Sequence, residues 1–551
     1  MKIKFSKKLI LFIILLIAAF LRLYKLSSVP PHLTPDEASI GYNAYSILKT
    51  GKDEYGIKFP FIFKSFGDYK PGLYIYLTVP FVYTFGLNEF AVRAPSALFG
   101  VLSVYLVYLI TKELFKKERI ALFSSFLFSL MPWAIYFSRG AWEVNVSLSL
   151  TLLGIYFFLK FLEKPKYLVY SAISFGLTLL CYQGAKLSSS IVLVLLVLVN
   201  YKKVVATKKK FLFLSLILGI LVSLPIILSL FSGKTGRLNV FNLFSYRRPE
   251  EVLNKQLLQG SEKMGDISYY LFHSETYNFI RGIFGRWFNH FSSKFLFFEG
   301  DWANPRHSAP SSGVLTLADS ILLILGFVTL FKRKLEKNNI FVILWLIFAC
   351  LPAILSKDQV HAVRSLNMSI PLVMILSLGL DYLFDMKFKF KKLIQVLFTG
   401  LYLISYIFFL DSYFVHLPAH NSKYWEYGYK QIVKTVSPIQ DEYKMVRIQQ
   451  SYAQPYIYFL FYQQYDPSKY QLQAKLIESE YGDVGQVEHL DNLYFGPIDW
   501  SLNRGDKETL FVADTIRIPP KDSQDPNEFE IISEIRYLNN KDIAFRIINV
   551  K

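Results

Sequence analysis

The chain has 551 residues, 53% of them hydrophobic and only 19% charged, with a formal net charge of +19. A soluble protein of this length would divide into about three or four domains of ~150 residues each, but the apolar residues here gather into long runs, as at 9–20, 101–110, 187–199, 211–231 and 339–355. Such runs approach or exceed the ~17–25 residues that cross a bilayer, and they exclude a disordered, collagen-like or disulfide-stapled chain, the only cysteines (Cys181 and Cys350) lying inside apolar runs themselves.

The location of the positive charge matters more than its size. Six short windows between apolar runs (1–8, 112–119, 160–166, 202–210, 332–337 and 385–392) hold 24 Lys and Arg against 5 Asp and Glu, which accounts for the whole +19. Basic residues concentrated in short loops mark the cytoplasmic side of a membrane protein, so the charge is a topology signal and nucleic acid is not a partner. The pattern predicts a polytopic α-helical membrane protein with its N-terminus inside and its C-terminus outside. About eleven transmembrane helices follow in chain order, near 9–24, 92–111, 120–138, 144–161, 167–183, 187–201, 211–232, 313–331, 339–355, 366–384 and 393–410. The aromatic-rich, Pro80-interrupted stretch 71–87 would invert the later basic loops if it spanned, so it reads as an interfacial or re-entrant segment. The expected domains are a membrane part, 1–410, and an extracytoplasmic α/β domain, 411–551. In the latter, 427–435 reads as helix, 445–448 and 510–512 as strands, and 529–549 as a hairpin turning at Asn539-Asn540.

The cytoplasmic loops are short and monotonous, whereas the external ones, 25–91, 233–312 and 356–365, carry the chemistry. There is no glycine-rich phosphate loop, no HExxH and no paired CxxC. In the first external loop Pro35-Asp36-Glu37 follows the first span, and Gly67-Asp68-Tyr69-Lys70-Pro71 returns to the membrane. Adjacent carboxylates at the interface can take a proton from a substrate; the same residues, preceded by Thr34, also spell an ordinary helix start. Lys70 can pair with a lipid phosphate or simply snorkel. Further external clusters are Ser138-Arg139-Gly140-Ala141-Trp142-Glu143, where an Arg139–Glu143 ion pair is expected to close a hairpin, and Asn304-Pro305-Arg306-His307-Ser308. A last one contains His361 and Arg364, which would share a helix face. Two His/Arg pairs on one membrane face suit an anionic headgroup.

Taken in order, Pro35-Asp36-Glu37, Tyr69-Lys70-Pro71, the Phe90-to-Ala97 approach to the second span, Phe137-Ser138-Arg139 with Trp142-Glu143, and Asn304-to-Ser308 resemble a known pattern. They are similar to the lipid-carrier-dependent C-type glycosyltransferases of the protein O-mannosyltransferase and aminoarabinose transferase superfamily, over roughly 1–410. The resemblance implies the C-type glycosyltransferase fold and a cell-membrane enzyme whose active site faces the extracytoplasmic side. It implies transfer of a sugar from a polyprenyl-phosphate donor to a lipid, glycan or protein acceptor. Asp36 would be the general base, with Glu37 as a second catalytic carboxylate. Lys70, Arg306, His307, His361 and Arg364 would hold the donor phosphate, and Asp68, Arg139 and Glu143 would stand behind them. No cofactor is required, although the family leaves room for a divalent cation; Tyr69 replaces the carboxylate that some relatives carry directly before the Lys-Pro element. A flippase or transporter of lipid-linked sugars and an oligosaccharide ligase are the alternatives, the first disfavoured because ionisable residues crowd the outer interface rather than mid-bilayer.

Overall fold

The computed structural model describes residues 6–231, 247–332, 336–451, 454–477, 484–539 and 541–551. Helix α1 (Lys7–Leu23) starts where the Ser6 side chain accepts the Leu9 N–H. After an irregular link comes α2 (Pro35–Thr50), whose start is a capping box: the Thr34 hydroxyl accepts the Glu37 N–H and the Glu37 carboxylate accepts the Thr34 N–H. It ends at Gly51 in the left-handed region, φ 69°. A short hairpin follows, β1 (Ile62–Ser65) against β2 (Asp68–Pro71), with Phe63 opposite Lys70 and Ser65 opposite Asp68. The chain then enters α3 (Leu73–Phe85), so the segment read as interfacial is a 13-residue helix containing Pro80.

Next come α4 (Glu89–Phe115), α5 (Glu118–Leu130), α6 (Pro132–Phe137), α7 (Glu143–Phe161), α8 (Tyr167–Cys181), α9 (Ala185–Val199), α10 (Tyr201–Val205) and α11 (Lys209–Phe231). Later apolar helices are Asp319–Lys332, Lys337–Phe348, Ser369–Asp385 and Lys391–Asp411. Each of the eleven expected spans therefore coincides with helix, yet only six helices among the described residues are long and apolar enough to cross a membrane unaided. The others are shorter or broken: the third expected span divides into α5 and α6 at Pro132, which cannot donate to the ladder. Part of the external loop expected at 233–312, residues 232–246, lies outside the described residues.

The membrane helices pack through small residues. A Cβ built on Gly379 would lie 2.0 Å from the Leu322 carbonyl oxygen, and one on Gly326 would lie 2.1 Å from that of Ile375. Helices Asp319–Lys332 and Ser369–Asp385 thus touch backbone to backbone, the approach that drives association where lipid is as apolar as leucine. Beyond residue 411 the chain builds a small ribbon, β4 (Leu476–Ile477) against β5 (Gln486–Val487), and a mixed six-stranded sheet in the order β6 (His489–Leu490), β7 (Leu493–Gly496), β3 (Met445–Gln449), β8 (Thr509–Ala513), β10 (Ile543–Val550), β9 (Phe529–Arg536). Strand β3 runs parallel to β7 and β8, and β10 lies antiparallel to β8 and to β9. The expected strands and hairpin coincide with β3, β8, β9 and β10; Asn540 of the hairpin turn lies outside the described residues. The sheet is not a detached module. Tyr42, Phe66 and Tyr74, from the segment between α1 and α4, share one apolar core with Tyr429, Phe459 and Phe545.

Candidate active site

Asp36 occupies the first turn of α2, where unpaired N–H groups favour an anion. Its carboxylate is ion-paired with the Lys70 ammonium. Exposure separates the partners: the Asp36 side chain is 57% exposed and that of Lys70 11%. The hairpin positions the lysine, since β2 holds it across from the fully buried Phe63 and its ammonium lies 5.6 Å from the centre of the Phe66 ring. Asp36, Ser39, Asn43, Ser65, Lys70 and Glu143 line one small pocket.

A buried polar layer supports this pocket. The Ser39 hydroxyl lies 3.1 Å from that of Ser65 and 3.5 Å from the Glu54 carboxylate, and the Asn43 amide donates to Glu54 at 2.8 Å. Burial pushes the Glu54 carboxyl up to about 8, even though Asn43 and Ser39 both favour its charged form. Asp68, two residues before Lys70 in β2, is buried.

Glu37 occupies a different setting from Asp36. It is buried and its two oxygens accept four hydrogen bonds: from Arg93 Nε at 2.9 Å and Nη2 at 3.2 Å, from the Thr34 N–H at 3.0 Å and from the Ala141 N–H at 2.9 Å. Arg93 in turn donates to the carbonyls of Leu26, Pro30 and His32. The pair ties the link after α1, the start of α2, α4 and the Gly140-Ala141 turn into one knot. The ion pair expected between Arg139 and Glu143 is replaced by another arrangement. The buried Arg139 guanidinium donates to the carbonyls of Leu21, Tyr24 and Val29 and sits 4.8 Å from the Phe414 ring centre. Carbonyls at the end of α1, left without helical partners, are strong acceptors for a buried arginine.

The two His/Arg pairs are brought together. The Asp301 carboxylate holds His307 Nδ1 at 2.9 Å and accepts the Ala362 N–H at 2.8 Å, bridging loop 299–313 to loop 356–365. The His307 and His361 rings lie 5.0 Å apart, centre to centre. His361 and Arg364 share a turn, with the Arg364 N–H 3.4 Å from His361 Nδ1. Burial above all, then Arg364, His307 and His290, holds His361 well below the usual imidazole range.

One residue that the sequence does not single out joins the two clusters. Glu426, at φ 54°, lies 3.8 Å from Arg306 Nη1 and accepts the Tyr458 hydroxyl at 2.7 Å. Burial pushes its carboxyl up to about 7; Tyr458 and Arg306 oppose that shift, and the charge of Asp36 adds to it. Its neighbours are aromatic and it belongs to no motif, so only folding reveals it.

Residues 69–228 match the family model of dolichyl-phosphate-mannose-protein mannosyltransferases. No curated protein sequence is matched. Among solved structures the fold is similar to that of ArnT from Cupriavidus metallidurans bound to undecaprenyl phosphate, with TM-score 0.54 and 12% identity, covering 98% of this chain and 97% of that one. The apo state of that ArnT gives TM-score 0.53 and 13% identity, with the same coverage. The Archaeoglobus fulgidus oligosaccharyltransferase in the apo form gives TM-score 0.50 and 12% identity, over 93% of this chain and 70% of that one. The resemblance to the lipid-carrier-dependent C-type glycosyltransferases therefore holds in sequence over 69–228 and in fold along nearly the whole chain.

Proposed function

We propose that the protein is a multi-pass membrane glycosyltransferase that moves a sugar from a polyprenyl-phosphate carrier to an acceptor hydroxyl on the extracytoplasmic face. The observation that carries this reading is the exposed Asp36 carboxylate paired with the nearly buried Lys70 in a chain with this fold. Asp36 takes the proton of the acceptor hydroxyl as that oxygen attacks the anomeric carbon; the bond from that carbon to the phosphate oxygen breaks, and the electron pair leaves with the lipid phosphate. The displacement inverts the anomeric centre. The phosphate passes from a charge of about −1 toward −2, and fixed cations stabilise that gain more than the ground state, which is what lowers a barrier.

Lys70 is the first of these cations. When a phosphate arrives, its ammonium exchanges Asp36 for the phosphate oxygens and leaves the carboxylate free to act as base. Arg306 and Arg364 supply further positive charge from the loops beside Glu426 and His361. Glu37 and Arg139 act at one remove, by fixing the turn that carries Trp142 and Glu143. These cations can carry the charge change without a metal cofactor. The test is release of polyprenyl phosphate from a panel of polyprenyl-phosphate sugars by protein in nanodiscs, with acceptor extract present. Release from one donor supports the reading, whereas intact donors throughout, with transbilayer movement of the lipid-linked sugar, favour a flippase.

A further inference from the structure

The cluster formed by loops 299–313 and 356–365 holds more than phosphate-binding cations. Asp301, His307 and His361 each offer a ligand atom, and these atoms lie within 4.8 Å of one another. We propose that Asp301, His307 and His361 form a binding site for a zinc-class divalent cation that clasps the two loops together. The donor set, two imidazoles and one carboxylate, is the mixture that zinc takes, whereas calcium and magnesium prefer oxygen alone.

The geometry is close to what such an ion needs. Bonds of ~2.0–2.2 Å in a tetrahedral arrangement put ligand atoms about 3.3 Å apart, so binding asks the ligand atoms to close by at most ~1.5 Å. The surroundings are already built to hold it. The Ala362 N–H fixes Asp301 Oδ2, and the Asn304 N–H donates to Oδ1 at 3.1 Å. The His361 N–H donates to His290 Nε2 at 3.2 Å, while His290 Nδ1 is bonded to the Arg286 carbonyl. Asp358, on the same loop as His361, lies 3.9 Å from its Nε2. Partners of this kind orient ligands and typically weigh 10–100-fold in affinity. None of the three ligands belongs to the Asp36–Lys70 element, so the clasp is separate from the proton-accepting carboxylate. Its consequence for the donor rests on the function proposed above: a bound ion would fix the backbone that carries Arg306 and Arg364.

The test is made on the full-length protein in detergent, stripped of metal and then exposed to zinc or cobalt alone. The expected result is one retained equivalent of zinc after dialysis and a cobalt complex with the visible absorption of a tetrahedral nitrogen and oxygen site. His307→Gln and His361→Gln should each lower affinity at least ~10-fold and Asp301→Asn ~10–100-fold, while His420→Gln, in the exposed His416–His420 stack, should bind as wild type. Absence of a stoichiometric site in wild type, or full binding in both His variants, overturns the proposal. The wild-type cobalt spectrum decides even if a variant fails to fold. Asp36→Asn should keep the metal while losing transfer. Sugar transfer that proceeds in a wild type unable to bind zinc would sink the clasp and leave the glycosyltransferase reading standing.

Discussion

At the scale of the residue, two adjacent carboxylates have opposite fates. Asp36 is exposed at a helix start and paired with a lysine that a phosphate can claim, while Glu37 is consumed by four hydrogen bonds. Asp36→Asn should cut transfer by ~10²–10⁴, the range for a lost general base, at a smaller cost in melting temperature than Glu37→Gln because the Asp36 side chain is 57% exposed. Glu37→Gln should do the reverse, lowering the melting temperature by leaving Arg93 charged and uncompensated, at about 3–5 kcal/mol. Thermal unfolding beside a transfer assay separates the two roles; equal loss of activity at unchanged stability would make both residues catalytic. Lys70→Ala should cost ~10²–10³ in rate, as for a lost transition-state donor. Glu54 sets a pH dependence. Its folded-state value of about 8 exceeds the ordinary 4.5, so the folded protein holds the extra proton between those values. Raising the pH through that window therefore pulls toward the unfolded state, and the stability granted by the neutral form is lost by about pH 8. Wild-type melting temperature should fall across it, and Glu54→Gln should flatten the slope; an unchanged slope in the variant would mean that other groups set it.

At the scale of the element, periodicity and length made the helices legible and left their breaks obscure. Thr34-Pro35-Asp36-Glu37 announces a helix start, and α2 begins there with both capping bonds formed. The division of α5 from α6 also has a visible cause in Pro132, but an apolar run on both sides conceals it. A spacing of three fits helix or turn alike, and His361 and Arg364 share a turn. The Arg139–Glu143 pair failed for a different reason: opposite charges four apart suggest each other, whereas the carbonyls that Arg139 takes come from the end of α1, more than a hundred residues away. Gly41 offers an element-level test. A Cβ there would meet the Phe461 ring at 2.4 Å and the Val92 side chain at 2.7 Å, so Gly41→Val should part α2 from the buried helix Tyr456–Tyr462. Limited proteolysis should then cut the tail faster than in wild type; equal resistance would show that the contact yields.

At the scale of the whole molecule, the basic loops alone carry the net charge, and that placement is what predicts a cytoplasmic N-terminus. The division at 410 was less instructive. The tail carries a sheet of its own, yet its aromatic residues finish a core shared with residues between α1 and α4, and the carboxyl of its Glu426 feels the charges of Arg306 and Asp36. No local pattern encodes such a contact, because its partners are almost 400 residues apart in the chain. The catalytic reading joins these scales in one claim: an accessible carboxylate beside a lysine, held at the outer membrane face, takes the acceptor proton as a lipid phosphate leaves. The most direct measurement is release of polyprenyl phosphate by wild type and Asp36→Asn side by side, with acceptor present and both proteins shown to be folded. The expected result is release from one polyprenyl-phosphate sugar in wild type and its collapse in the variant. Release that persists undiminished in Asp36→Asn would contradict the assignment.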